Sequence, residues 1–353
     1  MEKEELIKKI MNCCFADDSG KYKNENRYRF WENFRDWENN NGKKDFTGIY
    51  RNDYYGLRDP DAYSSSLYDF HKKLWNMQRD NNFKDLELSK IEKVKVGYIY
   101  QLQGVEKHFI LGSDSFVSIC WHWEDMQPLL EKIADYLDEN GNLMDNEIER
   151  MKGEIGKSRQ EKCFYDKNWD KIKRFIWFYL QKANTIGGFT LFPKHINSIN
   201  TRRGNKNGSI KDRFDLTLEC IRRAYQYEDF YKNDFNPLFG ISGEEKEFFK
   251  MFGTFKNYIR FFCLDGWVNK TYTAVYDLLS NDEKGILPTD GWPEKILPFD
   301  YINEEEKIAK WWIFYRNIMD RLEARNKQIE KLLRDEKCSE DNLQKLYDSL
   351  YLS

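Results

Sequence analysis

The stretch TIGGFTLFP, at residues 185–193, decides the fold class because it joins a turn to a short apolar run in the middle of the chain. Gly187 and Gly188 predict a sharp turn, since glycine reaches positive φ without strain. Residues 189–192 predict a short buried strand, which Pro193 closes. We interpret the glycine pair as a tight turn between packed elements; the alternative is a cradle for a phosphate group.

The stretch IKDRFDLTLECIRRAY, at residues 210–225, predicts a helix that follows this strand. Its large apolar side chains recur at helical spacing and form one face, which comprises Phe214, Leu218, Ile221 and Tyr225. Asp215, in the first turn, favours a helix start at this point. A strand and an amphipathic helix in one segment indicate a protein that mixes sheet and helix.

The sequence on either side of this segment predicts a small sheet and many helices. Apolar side chains alternate from Val94 through Val96 and Tyr98 to Tyr100, and later glycines supply turns, so residues 94–120 predict a hairpin or a three-stranded meander. Helices are predicted at residues 4–13, 59–75, 125–138, 172–182, 243–268 (with a break near Gly253) and 303–336. We therefore expect a helix-dominated α+β fold in which a small antiparallel sheet, about 94–120 plus the strand 189–192, packs against a helical bundle.

The length of 353 residues allows one large core or two smaller ones. Residues 138–162 are charged, interrupted by glycines and poor in aromatic side chains, which predicts a surface excursion or a seam between two halves. We expect one integrated domain over residues 1–353. The alternative is a division into an α+β part at 1–140 and a helical part at 160–335.

Charge and composition exclude several classes of protein. The chain has 57 Lys and Arg against 60 Asp and Glu, a net charge of -3, so any contact with nucleic acid must be a local patch. Neither the N-terminal sequence nor any apolar window predicts a signal peptide or a membrane span, so we expect no membrane partner. Seven scattered cysteines predict reduced thiols in a cytoplasmic protein, and no spacing typical of zinc ligands occurs, so we expect no metal site.

The polar loop after the central strand carries the first candidate ligand-binding residues. These are Asn200, Arg202, Arg203 and Gly204. A guanidinium group binds phosphate or carboxylate through two parallel hydrogen bonds, and a neighbouring glycine lets the main chain approach a ligand closely. The loop is therefore predicted to recognise an anion.

The helix that follows carries three further arginines and two acids. Arg213, Arg222 and Arg223 are candidate ligand-binding residues, and Asp215 and Glu219 lie at spacings that allow contact with them. In one interpretation these charges form an ion-pair ladder on an exposed helix. In the other, the arginines converge on an anionic group, while the two acids orient them or bind a metal.

The central motif resembles that of an uncharacterised bacterial family, a domain of unknown function that occurs as a single unit. The strings TIGGFTLFP, INSINTRRG and IKDRFDLTLECIRRAY carry the resemblance, which extends through residues 59–75, 108–116, 247–262 and 323–332. The resemblance implies one unit rather than two modules, because these blocks lie on both sides of the charged segment. It singles out Gly187, Pro193, Asn200, Arg203, Gly204, Asp212, Arg213, Asp215, Glu219, Arg222 and Arg223. No established activity comes with the family, so the resemblance implies no catalytic residue and no cofactor.

Three hypotheses for function remain open. The first is a site at residues 185–223 for a phosphate-bearing small molecule, a nucleotide or nucleic acid. The second is a metal-dependent nuclease or other hydrolase that acts as a toxin or in phage defence, with His195 as acid or base and Asp215 or Glu219 as metal ligand or as partner of His195. The third is a non-catalytic scaffold that recognises an unidentified protein. The sequence leaves the cofactor and the reaction unknown.

Overall fold

The structure is a computed structural model that describes eleven segments of the chain. They are residues 1–13, 65–78, 87–94, 97–103, 108–117, 182–193, 213–226, 243–282, 284–288, 304–335 and 338–351. The predicted helices at 125–138 and, but for its last residue, at 172–182 lie outside the described residues, as does the charged segment 138–162.

Helices dominate the described part of the chain, which confirms the expected α+β class. The helices are α1 (Lys3–Met11), α2 (Ser65–Gln78), α3 (Phe214–Gln226), α4 (Gly243–Lys250), α5 (Phe255–Phe261), α6 (Glu304–Arg334) and α7 (Glu340–Tyr351). The strands are β1 (Glu87–Val94), β2 (Gly97–Gln103), β3 (His108–Ser115) and β4 (Phe189–Pro193), and short 3-10 turns cover Ile186–Gly188 and Asp265–Trp267. Within these segments, no helix is long and apolar enough to cross a membrane.

The four strands form one antiparallel sheet in the order β1-β2-β3-β4. The prediction of a strand running through Val94 to Tyr100 is wrong, because β1 ends at Val94, which pairs with Gly97 at the start of β2. The sequence of β1, ELSKIEKV, is rich in charge and did not predict a strand. It is an edge strand in the described sheet, and an edge position tolerates charged side chains.

Strand β4 forms the other edge of this sheet and pairs with β3, with Phe189 opposite Ser115 and Pro193 opposite Leu111. Proline is tolerated there because an edge strand leaves one row of backbone groups without ladder partners. The prediction of a short buried strand closed by Pro193 is confirmed, since all five residues of β4 are buried. The pairing joins segments from both sides of residues 138–162, and a single integrated domain stays our prediction.

One apolar core lies where the two ends of the chain meet. Its helical members come from α1, α2, the C-terminal half of α6 and α7, and they include Leu6, Ile10, Leu67, Phe70, Ile329, Leu333, Leu343, Leu346 and Leu350. The hydroxyl of Tyr351 donates to the carbonyl oxygen of Lys9 at 2.7 Å, which connects α7 to α1. The sequence CSEDNLQKLYDSLY has a helical apolar pattern that would have predicted α7, but only the helix before it was predicted.

A second, aromatic core joins the sheet to α3, α4 and α5. Phe116, just after β3, lies 4.4 Å from Phe214 between ring centres, and Phe214 lies 5.0 Å from Trp267. Phe109 of β3 packs edge-on against Phe248 of α4 at 5.7 Å. Edge-to-face pairs of this kind contribute beyond the area that they bury. Aromatic side chains therefore form much of the interior in this part of the molecule.

The glycine pair lies against α6 in a close-packed joint. The amide of Gly187 donates to Asn326 Oδ1 at 2.9 Å, and Asn326 Nδ2 donates to Thr185 Oγ1 at 2.8 Å. A Cβ atom on Gly187 would lie 2.4 Å from Asn326 Oδ1, and one on Gly188 would lie 1.9 Å from the carbonyl oxygen of Ala183. These contacts match the interpretation of a tight turn between packed elements. The Gly187 amide donates its hydrogen bond to Asn326 rather than to a phosphate group.

Candidate functional site

Helix α3 is buried on every side from Phe214 to Ala224, including its charged residues. The exposed ion-pair ladder considered from the sequence is therefore wrong, because the helix crosses the interior. Asp215 and Glu219 have no exposed surface, so each needs hydrogen bonds and an opposite charge within the protein.

Asp215 forms the first of two buried ion-pair clusters. Arg213 Nη2 donates to Asp215 Oδ2 at 2.7 Å, and Arg213 Nε donates to Asp215 Oδ1 at 2.9 Å. The same Nη2 lies 3.2 Å from Asp277 Oδ1, and the amide of Leu278 donates to Asp215 at 3.0 Å. Burial favours the neutral guanidine, but the two carboxylates outweigh it and raise the pKa of Arg213. This cluster attaches the start of α3 to residues 277–278.

Glu219 forms the second cluster, one helical turn further on. It accepts two hydrogen bonds from Arg222, at 2.7 and 2.8 Å, and one from Arg223 Nε at 2.7 Å. Arg223 Nη2 also donates to the carbonyl oxygen of Pro288 at 3.0 Å. A carboxylate shared by two guanidinium groups is well placed to hold α3 in register with the chain at Pro288.

The predicted ligand-binding residues therefore divide into two groups. Arg213, Arg222 and Arg223 are buried, and each has a carboxylate partner. Six predicted residues lie outside the described part of the chain: the loop residues Asn200, Arg202, Arg203 and Gly204, the catalytic candidate His195 and the motif residue Asp212. The gathering of arginine side chains around an anion at residues 185–223 therefore remains a prediction.

The two acids proposed as metal ligands are engaged with arginine. In the described segments, no group of three His, Cys, Asp or Glu side chains is arranged to hold a metal ion. Asp215 and Glu219 each direct both carboxylate oxygens at guanidinium groups. Their roles as metal ligands or partners of His195 stay hypotheses.

A cleft of about 1060 Å³ opens between α2, the α4–α5 segment, the end of α6 and α7. Three basic side chains line it, Lys73 from α2, Arg260 from α5 and Lys345 from α7, and Asp335 is the one carboxylate among its described lining residues. Four amide side chains add donors and acceptors: Asn76, Gln78, Asn257 and Asn342. The remaining wall is largely apolar and includes Met77, Met251, Phe252, Phe261 and Leu332.

The basic residues of the cleft differ in how they are held. Lys73 donates to the carbonyl oxygen of Lys345, and partial burial lowers the pKa of its amine. Arg260 donates through Nε to Tyr272 Oη at 3.3 Å, and this hydrogen bond raises its pKa. Among the described residues, no carboxylate forms an ion pair with Lys73 or Arg260. The charges of Asp69 and Asp348 partly offset the effect of burial on the pKa of Lys73, and the charge of Asp265 adds to the raised pKa of Arg260.

The sequence did not predict the cleft, because its cations come from three segments far apart in the chain. No local spacing connects them. Only the packing of α2 and α7 against each other, beside α5, brings them together.

Comparison with known proteins identifies a family for this chain but assigns no activity to it. The model of DUF6994, a family of unknown function, matches residues 44–151 and 152–329, well over half of the chain. No curated protein and no solved structure matches the chain significantly. The expected resemblance to a domain of unknown function is thereby confirmed, and the chain belongs to the family DUF6994.

Proposed function

We propose that this protein binds a phosphate-bearing small molecule, such as a nucleotide, in the cleft between α2, α5 and α7. The observation that carries the proposal is the charge of the cleft wall, which includes three cations, Lys73, Arg260 and Lys345, and one carboxylate, Asp335. Lys345 is paired with Asp341, so Lys73 and Arg260 carry most of the excess charge. The whole chain has a net charge of -3, so this concentration of positive charge is local. A local excess of cations attracts an anion from solution and holds it.

The cleft has a cationic wall and an apolar wall, which suit the phosphate group and the ring of such a ligand. The guanidinium group of Arg260 can donate parallel hydrogen bonds to phosphate oxygens, and a lysine amine adds a point charge. The ring of Phe261, which is partly exposed, offers flat apolar surface for a base or another ring, and the buried Phe252 packs against it. Amide side chains nearby would select among polar groups of the ligand.

The test is a calorimetric titration of the full chain with AMP, ADP, inorganic phosphate and adenosine at low salt. We expect AMP or ADP to bind, with affinity that falls as salt rises because the contacts are ionic. The substitution Arg260→Gln should weaken binding roughly 10- to 100-fold, which corresponds to about 1.5–3 kcal/mol for a hydrogen bond to a charged group. Lys345→Gln should have a smaller effect, since Lys345 already pairs with Asp341.

Two control variants make the result specific. Lys327→Gln removes an exposed α6 lysine that is absent from the cleft wall and pairs with Glu323, so binding should not change. Arg203→Gln tests the loop predicted from the sequence. If Arg203→Gln abolishes binding while Arg260→Gln leaves it intact, the ligand lies at the loop and the cleft proposal is wrong.

The two alternatives predicted from the sequence, a scaffold and a hydrolase, lead to different experimental results. The buried ion pairs of α3 favour a structural role for that helix, as expected for a non-catalytic scaffold that recognises another protein. A scaffold would bind none of the four compounds. A nuclease or other hydrolase would cleave a single-stranded oligonucleotide or release phosphate, and would lose that activity on His195→Ala. Neither alternative requires the basic cleft.

A further inference from the structure

Tyr272 has a strained backbone that the contacts of its own loop maintain. Its φ is 59°, in the left-handed region that a bulky side chain rarely occupies. Its amide donates to the carbonyl oxygen of Asn269 at 2.9 Å. Asn269 Oδ1 accepts hydrogen bonds from the amides of Thr273 and Ala274, at 2.8 and 3.2 Å. Strain that the surrounding structure maintains is characteristic of functional positions, so the role of the Tyr272 side chain is of interest.

The hydroxyl of Tyr272 connects a carboxylate to a cation. Oη donates to Asp265 Oδ1 at 2.6 Å and accepts a hydrogen bond from Arg260 Nε at 3.3 Å. The hydrogen bond to Asp265 raises the pKa of Tyr272, so the phenol keeps its proton at neutral pH. Because that proton is donated to Asp265, the oxygen acts as the acceptor for Arg260. The three side chains therefore form one chain of hydrogen bonds.

Two further contacts hold the ends of this hydrogen-bond chain. With its amide group oriented so that Nε2 donates, Gln328 of α6 lies 3.2 Å from Asp265 Oδ2 and 2.8 Å from the carbonyl oxygen of Cys263. At the other end, the guanidinium carbon of Arg260 lies 5.7 Å from the centre of the Tyr272 ring, within the range of cation–π attraction. Arg260 is thus held by both the hydroxyl and the ring of one tyrosine.

This chain of hydrogen bonds ends at the basic cleft. Arg260 lines the cleft, whereas Tyr272 and Asp265 do not. The hydrogen bond to Tyr272 uses Nε, and a guanidinium group has a second edge, Nη1 and Nη2, that can bind two phosphate oxygens in parallel. Arg260 is exposed, and an exposed arginine loses rotamer freedom when it binds a ligand. A side chain that is oriented beforehand loses less.

We propose that Tyr272 is a positioning residue for phosphate binding, which orients the guanidinium group of Arg260 through its hydroxyl, with Asp265 as the partner behind it. This role rests on the function proposed above, because it concerns how the same cleft holds its cation. A tyrosine with a purely structural role would affect the stability of its loop and leave the binding of phosphate compounds unchanged.

The first experiment is a calorimetric titration of the full chain with ADP at low salt. Tyr272→Phe keeps the ring beside Arg260 and removes only the hydroxyl, so we expect binding to weaken roughly 3- to 10-fold. Tyr276→Phe is the matched control. The Tyr276 ring also lies beside an arginine, 4.6 Å from the guanidinium carbon of Arg321, but it is not part of the cleft wall, so binding should not change.

The second experiment observes Arg260 without any ligand. In NMR spectra of the ¹⁵N-labelled full chain, the Nε–H signal of Arg260 is assigned by its loss in Arg260→Gln. We expect this Nε–H to exchange slowly with solvent in the wild type and faster in Tyr272→Phe. A structural role confined to the loop would not produce this change. The wild-type rate alone tests the hydrogen bond if Tyr272→Phe does not fold.

The outcomes separate this role from the function on which it depends. If wild type binds ADP and Tyr272→Phe binds it equally well, the positioning role is wrong and the cleft remains a phosphate site. Fast exchange of the Arg260 Nε–H in wild type would also overturn the role. If wild type binds neither ADP nor inorganic phosphate, the proposed function fails, and the role of Tyr272 in phosphate binding fails with it.

Discussion

Asp215 accepts a hydrogen bond from the backbone amide of Leu278 at 3.0 Å while both of its oxygens bind Arg213. Residues 63 positions apart are thus joined by one carboxylate that has no exposed surface. Asp215 therefore has a structural role. It neutralises Arg213 and holds the chain at Leu278 against α3.

We expect Asp215→Asn to destabilise the protein strongly, by about 3–5 kcal/mol, which is typical when one partner of a buried ion pair is lost. The asparagine keeps the shape but leaves the Arg213 charge with Asp277 alone. Urea unfolding followed by circular dichroism measures the change. In the control Glu323→Gln, which breaks the exposed pair with Lys327, the midpoint should hardly move. Equal effects for the two variants would contradict a structural role for Asp215.

The glycine pair gives a second prediction, on packing. Gly188→Ala would place a methyl group 1.9 Å from the backbone oxygen of Ala183, so β4 or the preceding turn must shift. We expect a loss of about 1–3 kcal/mol or more in the free energy of unfolding. Gly112→Ala in the neighbouring strand is the matched control, because its Cβ meets no atom within 4 Å, and its effect should stay within about 0.5 kcal/mol. A neutral Gly188→Ala would show that the turn is not close-packed.

The lowered pKa of His71 predicts that the protein loses stability in mild acid. Burial and the neighbouring Arg325 lower its pKa from 6.5 to about 3 in the folded protein. Between these values the unfolded chain binds a proton that the native protein does not, so stability falls as the pH is lowered from about 6.5 toward 3. The contribution approaches about 1.4 kcal/mol per pH unit.

The measurement for His71 is the pH dependence of urea unfolding in wild type and in His71→Asn. The variant removes the titrating ring, so its stability should fall less steeply with acid over the same range. Buried carboxylates also affect the slope, but they are common to both proteins and cancel in the difference. Identical slopes would mean that His71 titrates normally and is not sealed in the interior.

Cys263 should be inert in the native state. The residue is buried, and burial raises the pKa of its thiol to about 11. Because the thiolate is the reactive form, alkylation by iodoacetamide at pH 8 should be slow. Peptide mapping by mass spectrometry, with and without urea, gives the rate of alkylation at Cys263. Fast labelling in the absence of urea would contradict the buried position.

The local pattern of residues determined much of the secondary structure. Helical spacing predicted α1, α2, α3 and α6, and the break near Gly253 falls where that residue adopts a φ of 73° between α4 and α5. The apolar run before Pro193 predicted β4. These elements depend on neighbours a few positions apart, which a sequence displays directly. The charge-rich sequence of β1 shows no such local pattern, because an edge strand tolerates charged residues.

Tertiary structure alone decided what each charged residue does. The sequence placed arginines and acids together on α3, but their burial depends on the aromatic residues and the turn at Leu278 that cover the helix. The cleft needs cations from α2, α5 and α7, and the environment of Arg325 depends on carbonyl groups more than 60 positions away. A side chain's charge is a property of its own residue, whereas its partner and its exposure are set by whichever distant segment packs against it.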